Sequence, residues 1–184
     1  MKTILMILRT GLAVGLMAAA IVPRAHAQTP AAQDSLAEEI PNYTRPDEEI
    51  AFAGQPPEEV FAKLKEAGFQ TILSLRSPEE IDFDEKKAVE AHGMAFVNIP
   101  ITSSTITDDK VAQFSRVVSD PENKPLLIHC GAASRVGGMW YIYRSLFEKA
   151  PEEQSLDEAL ARGLDSPALE AVVKDYVTSR KGQP

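Results

Sequence analysis

The chain has 184 residues, 44% hydrophobic and 25% charged, with a formal net charge of −8. That balance is globular and excludes a collagen-like or disordered chain. The acidity argues against a nucleic-acid groove or an anionic membrane surface as partner, and a single cysteine excludes both an internal disulfide and a cysteine-cluster metal site.

Residues 1–27 read as a cleaved secretory signal peptide. Lys2 and Arg9 make a basic start, residues 10–23 carry no charge, and Ala25-His26-Ala27 is a small-x-small cleavage site. The uncharged run is shorter than the ~20 residues of a membrane span. No cysteine sits at the cut, so no stable membrane anchor is expected. The expected location is therefore the periplasm. Loss of the leader removes Lys2, Arg9 and Arg24 but no acid, so the remainder is still more acidic.

Residues 28–46 are rich in Ala, Pro, Gln and acids without a sustained period, and read as an extended or mobile arm. Residues 47–184 read as one domain. Ile50-Ala51-Phe52-Ala53 is a short strand ended by Gly54. Pro57, Glu58 and Glu59 suit a helix start, Val60, Phe61, Leu64 and Ala67 give it an apolar face, and Gly68 stops it. Thr71 to Leu75 is a second strand, ended by Arg76-Ser77-Pro78.

A helix over residues 84–92 leads to Gly93 and a third strand over residues 95–99. Residues 102–105 are a polar loop. Thr107 caps a helix with Val111, Phe114 and Val118 on one stripe. Residues 125–129 are a fourth strand, apolar on successive residues, as in a parallel sheet buried on both faces. Helices are expected over residues 135–149, 156–164 and 168–179. The alternation spells an α/β fold, a three-layer α/β/α sandwich with a mainly parallel sheet of four to five strands.

The segment with chemical content is His129-Cys130-Gly131-Ala132-Ala133-Ser134-Arg135. A buried strand delivers Cys130 to its carboxyl end, where ligands bind in open α/β sheets. The small residues Gly131, Ala132, Ala133 and Ser134 leave their amides free to point at one anion, aided by the following helix N-terminus. Arg135 adds a planar fork of donors. Such a field favours a cysteine thiolate. The expected catalytic pair is Cys130 and Arg135, over an anion-binding loop of residues 131–134. His129 and Arg76 are supporting residues: the His129 ring holds the loop by hydrogen bonds, and Arg76 lies at the same sheet edge, where Glu79 or Glu80 is its alternative partner. Ser134 is either a partner of the thiolate or a helix cap. His92 and His129 show no metal-ligand spacing, so neither a metal nor a cofactor is expected.

This segment resembles the signature of the cysteine-based tyrosine and dual-specificity phosphatases, His-Cys followed by an Arg at a strand–loop–helix junction. Ala53-Gly54-Gln55-Pro56, Gly68-Phe69, Arg76 and Ile99-Pro100 extend the likeness to a bacterial branch, the phosphatase-like domain found beside a β-lactamase-like hydrolase domain. The resemblance implies a tyrosine-phosphatase-like fold. It also implies a small anionic substrate or a phosphorylated protein, hydrolysed through a Cys130 thiophosphoryl intermediate.

Two features depart from the phosphatase pattern. Four residues, not five, separate Cys130 from Arg135, a spacing similar to rhodanese-like sulfurtransferases. The loop after Ile99-Pro100 carries no acid, and Asp108 and Asp109 read as first-turn helix residues. Absence of a general acid costs about 10²- to 10⁴-fold in rate. Three readings stand at this point: a phosphatase-like hydrolase, a sulfurtransferase with a Cys130 persulfide, and a non-catalytic anion-binding module.

Overall fold

A computed structural model describes residues 30–181, with side chains from residue 35 onward. The signal peptide expected over residues 1–27 lies outside the described residues. Four strands form one sheet: β1 (Ile50–Ala53), β2 (Thr71–Ser74), β3 (Ala95–Asn98) and β4 (Leu126–His129). All pairings are parallel and the order is β1-β4-β2-β3. The expected α/β class, parallel sheet and four strands are all present.

The strands alternate between two buried layers. Phe52, Leu73, Leu126 and Ile128 face a core built with α4 (Asp108–Ser119), α5 (Ser134–Leu146) and α7 (Pro167–Thr178). Ala51, Ala53, Ile72 and Leu127 face the other, built with α1 (Pro30–Glu39), α2 (Phe61–Glu66) and α3 (Glu85–Ala91). Each fully buried Leu, Ile or Phe in these layers contributes about 1.5–3 kcal/mol. The last long helix pair is completed by α6 (Glu152–Ala161), which packs on α5. Thr107 caps α4 by accepting from the Lys110 amide at 3.4 Å, and Asp84 caps α3 by accepting from Lys87 at 3.0 Å.

Within the expected arm over residues 28–46, the described part from residue 30 onward is folded and not extended. Pro30–Glu39 is helical, and Leu36 and Ile40 are each 1% exposed, four residues apart on one face against α2 and β1. Glu39 meets Lys63 at 2.6 Å, and Thr44 bridges Phe52 in antiparallel fashion. Burial of two large apolar side chains outweighs the weak intrinsic pattern of the segment.

Register fixes the functional edge. Ala53 lies opposite His129, His129 opposite Ser74, and Ser74 opposite Asn98. The residues that follow these four (Gly54, Cys130, Leu75 and Ile99) therefore leave the sheet from one carboxyl edge. Among the described residues, no helix is long and apolar enough to cross a membrane.

Candidate active site

Cys130 follows β4 directly. It is a free cysteine, 1% exposed, with its amide bonded to Ala53 O at 3.3 Å. The sulfur therefore sits at the floor of the loop rather than on its surface. Beyond it, the loop carbonyls are drawn aside. Gly131 O accepts from the Gln55 amide at 3.0 Å, Ala132 O from Asn42 Nδ2 at 3.2 Å, and Ala133 O from the Gly137 amide at 3.0 Å. Among the described residues, none accepts a hydrogen bond from the amides of Gly131, Ala132, Ser134 or Arg135. A loop whose carbonyls are tied back and whose amides are unspent is built to receive an anion.

The turn into α5 is made by Ala133, in the left-handed region at φ +70°. A non-glycine residue there costs about 1–2 kcal/mol. The fold holds it by close packing. Gly163, itself at φ +95°, lies so near that a methyl on it would approach Ala133 Cβ to 2.6 Å. On the other side, a methyl on Gly54 would lie 2.9 Å from Gly131 O. The short four-residue spacing is thus clamped from both flanks by backbone that admits no side chain.

Arg135 reaches back across this loop, with Nη2 3.5 Å from where a Gly131 methyl would stand. Its fork of donors is already partly engaged. Nη1 and Nη2 bind Glu80 Oε1 and Oε2 at 2.9 and 2.6 Å, and Nη1 also approaches Ile101 O at 3.0 Å and Leu75 O at 3.3 Å. Glu80 takes the end of the guanidinium. Nε–H has no oxygen acceptor among the described residues, so the side edge of the guanidinium remains for oxygens of an anion. The hydrogen bond from Arg135 is the main reason the Glu80 carboxyl is held down at about 2. Conversely, Glu80 first, and then the charge of Cys130 against the opposing effect of burial, raises the Arg135 pKa. The Cys130 sulfur is thus among the groups that the Arg135 guanidinium senses across the loop.

Arg76 is tied to the same carboxylate residue. It donates to Glu80 O and to Gln55 Oε1, the latter at 2.6 Å, and its Nε lies 3.7 Å from Glu80 Oε2. It serves the frame of the site rather than standing as a free second cation.

His129 is wholly buried, and its partner is not the loop. Nε2 lies 3.2 Å from Glu85 Oε1, and Glu85 is itself buried. The contact is off the N–H line, so neither Nε2 nor Nδ1 completes a hydrogen bond among the described residues. Gln55 Nε2 donates to the same Glu85 oxygen at 2.6 Å. Burial pushes the Glu85 pKa up, but hydrogen bonding and attraction to His129, with help from Gln55 and Ser74, outweigh it and hold the carboxyl below its ordinary value. Ser134 opens α5 but does not cap it. The cap position is Ala133, and Ser134 Oγ is buried without a partner among the described residues.

Asp108 is held elsewhere. Tyr176 Oη and Arg180 Nε both donate to Oδ1 at 2.7 Å, Tyr176 being the larger cause of its lowered pKa. The loop after Pro100 bonds to itself through Thr102, Ser104 and Thr105 hydroxyls at 3.0–3.1 Å. Among the described residues, no group of three His, Cys, Asp or Glu side chains could hold a metal. Sequence reasoning brought Cys130, Arg135, His129 and the loop to one place. It missed Glu85, Gln55 and Asn42, and it assigned Glu80 to Arg76 alone.

Known proteins are similar to this chain. The chain is 27% identical over 126 residues to a β-lactamase hydrolase-like protein of Agrobacterium fabrum, covering 66% of this chain and 29% of that one. A similar protein of Xylella fastidiosa is 28% identical over 94 residues, 48% of this chain and 22% of that one. The chain thus spans less than a third of the length of these relatives. Among solved structures, P. aeruginosa TpbA superposes with a TM-score of 0.62 at 19% identity, covering 77% of this chain and 86% of that one. The core catalytic domain of the PP-IP phosphatase SIW14 from S. cerevisiae does so with a TM-score of 0.59 at 21% identity, covering 79% and 97%. At these identities the likeness establishes the fold. A family model described as DSP-PTPase phosphatase fused to NAD+ kinase matches residues 28–175, and the chain belongs to this family of phosphatase-like domains.

Proposed function

We propose that the protein is a cysteine-dependent phosphoester hydrolase. The observation that carries this reading is the fold of Arg135 back over the loop that follows Cys130, where the amides of Gly131, Ala132, Ser134 and Arg135 have no acceptor among the described residues. The Cys130 thiolate attacks phosphorus, and the bond to the leaving oxygen breaks. That oxygen departs with the electron pair and takes its proton from water. The three remaining phosphoryl oxygens are held by the loop amides and by the side edge of Arg135, where negative charge is greatest in the transition state. Water then attacks phosphorus, the P–S bond breaks, and inorganic phosphate leaves with the thiolate restored.

The acid-free loop at residues 101–106 and the engagement of Asp108 favour substrates whose leaving group needs little protonation, such as aryl phosphates. A TpbA variant has been solved in complex with phosphotyrosine, at a TM-score of 0.59 and 18% identity to this chain. Phosphotyrosine is accordingly the first biological probe, and a small anionic ester or a phosphorylated protein the substrate class.

The test compares wild type with Cys130→Ser on an aryl phosphate, and on thiosulfate with cyanide. Phosphate release that vanishes in the variant is expected. Release that survives contradicts the reading, and thiocyanate formation in its place would establish the sulfurtransferase that the four-residue spacing also suits. The basic start at Lys2 and Arg9 and the Ala25-His26-Ala27 site support export to the periplasm. Mass analysis of protein from the native host is expected to find a chain beginning at Gln28, and an intact leader would overturn that part.

A further inference from the structure

We infer that Glu85 is a positioning residue for Cys130, acting through His129; the inference rests on the reading of Cys130 as the nucleophile. A carboxylate and an imidazole side chain, 2% and 0% exposed, lie 3.2 Å apart, the imidazole on the residue immediately before Cys130. Burying a carboxylate costs several kcal/mol unless it is paired and hydrogen-bonded, and the apolar layer around it would be served as well by a hydrophobic residue. The fold instead spends several side chains on keeping Glu85 where it is. Gln55 donates to its Oε1 at 2.6 Å, and Arg76 donates to the other end of the same Gln55 amide at 2.6 Å. The Gln55 main-chain amide meanwhile binds Gly131 O at 3.0 Å. One chain of contacts thus runs Arg76–Gln55–Glu85–His129 and closes on the Cys130 loop from both sides.

The consequence is chemical as well as mechanical. A carboxylate oxygen 3.2 Å from Nε2 favours hydrogen on that nitrogen even off the N–H line, since a bare lone pair there would be repelled. Nδ1, also buried and without a hydrogen-bond partner among the described residues, is then left as the ring's acceptor nitrogen. The ring orientation is set from behind, and with it the exit of Cys130 from β4.

The experiment uses the full domain labelled with ¹⁵N-histidine, in wild type and Glu85→Gln. A carboxamide can either donate or accept, so it no longer dictates which ring nitrogen bears hydrogen. The expected wild-type spectrum has hydrogen on His129 Nε2. The expected Glu85→Gln spectrum differs at His129, with kcat on an aryl phosphate lower by about 10- to 100-fold, the range for loss of an orienting partner, and KM little changed. Alkylation of Cys130 by iodoacetamide, which needs no turnover, is expected to slow in the same variant.

A merely structural Glu85 would lower the melting temperature while leaving the ring signals and alkylation rate alone, and that result overturns the proposal. If Glu85→Gln does not fold, the wild-type spectrum still decides: a neutral ring with hydrogen on Nδ1 and none on Nε2 overturns it. A wild type that releases no phosphate, yet shows the expected spectrum and slowed alkylation in the variant, removes the phosphatase reading and leaves the positioning role standing.

Discussion

Two carboxylates five positions apart serve the two flanks of Cys130 in opposite ways. Glu80 lies in the half-exposed loop after β2 and grips the end of Arg135, with about a third of its own side chain in water. Glu85, at the start of α3, is sealed beneath the sheet edge against His129. The pairing chemistry is similar and the physical setting is not. At the surface, water screens the charges, and the pair orients an arm that must still greet a substrate. In the interior, no water can substitute for a lost partner, so the pair defines a foundation. The difference teaches that orientation and rigidity are supplied separately at this edge.

Removing the groups that the two flanks serve should have the largest effect. Cys130→Ser is expected to abolish phosphate release, and Arg135→Ala to lower kcat by about 10²- to 10³-fold, as for loss of a transition-state anion donor. Steady-state kinetics on an aryl phosphate checks both, and Arg135→Ala activity equal to wild type would remove the arginine from the site.

The buried flank is sharpened by Glu85→Ala. Loss of the carboxylate that faces the buried imidazole and accepts from Gln55 is expected to cost about 1–3 kcal/mol in urea unfolding. The loop between the flanks can be broken without touching either charge. Gly163→Ala puts a methyl 2.6 Å from Ala133 Cβ at a backbone angle of φ +95°. It is expected to destabilise by about 1–3 kcal/mol and to lower activity together with stability.

The exposed flank should respond least in stability. Glu80 has a folded pKa lowered to about 2. A depressed carboxyl contributes stability above its unfolded pKa, and loses it as pH falls through the folded value. The contribution of Glu80 is therefore constant at neutral pH and fades only below the ordinary carboxylate range, toward pH ~2. Screening limits it to about 1 kcal/mol or less. Glu80→Gln is expected to raise KM, because Arg135 loses its orientation, with little change in the urea midpoint at pH 7. Asp108→Asn, far from both flanks in function, is expected to leave turnover unchanged. A large loss there would show that the acid-free loop is not the whole account.

How much of this was legible follows from range. The strands at residues 50–53 and 126–129 announce themselves by successive apolar residues, and Cys130 to Arg135 by small residues between a sulfur and a guanidinium. These are local signals. The helix Pro30–Glu39 was illegible because its only strong cue is Leu36 and Ile40 four apart, within a segment rich in residues that also suit an extended chain. Glu85 looked like an ordinary acid at a helix start. The available signal was its spacing of four from Val89, which puts it on the buried face of α3. Nothing local could reveal that Glu80 would cross to Arg135, 55 positions away, because that pairing is made by the strand order β1-β4-β2-β3.

The central claim is that the Cys130 sulfur, though only 1% of its residue is exposed, accepts a phosphoryl group. The most direct measurement is mass spectrometry of protein acid-quenched during turnover of an aryl phosphate, with the modified peptide sequenced. The account requires one phosphoryl group on Cys130 and none in Cys130→Ser. Turnover with an unmodified Cys130, or with the phosphoryl group on another residue, would contradict it.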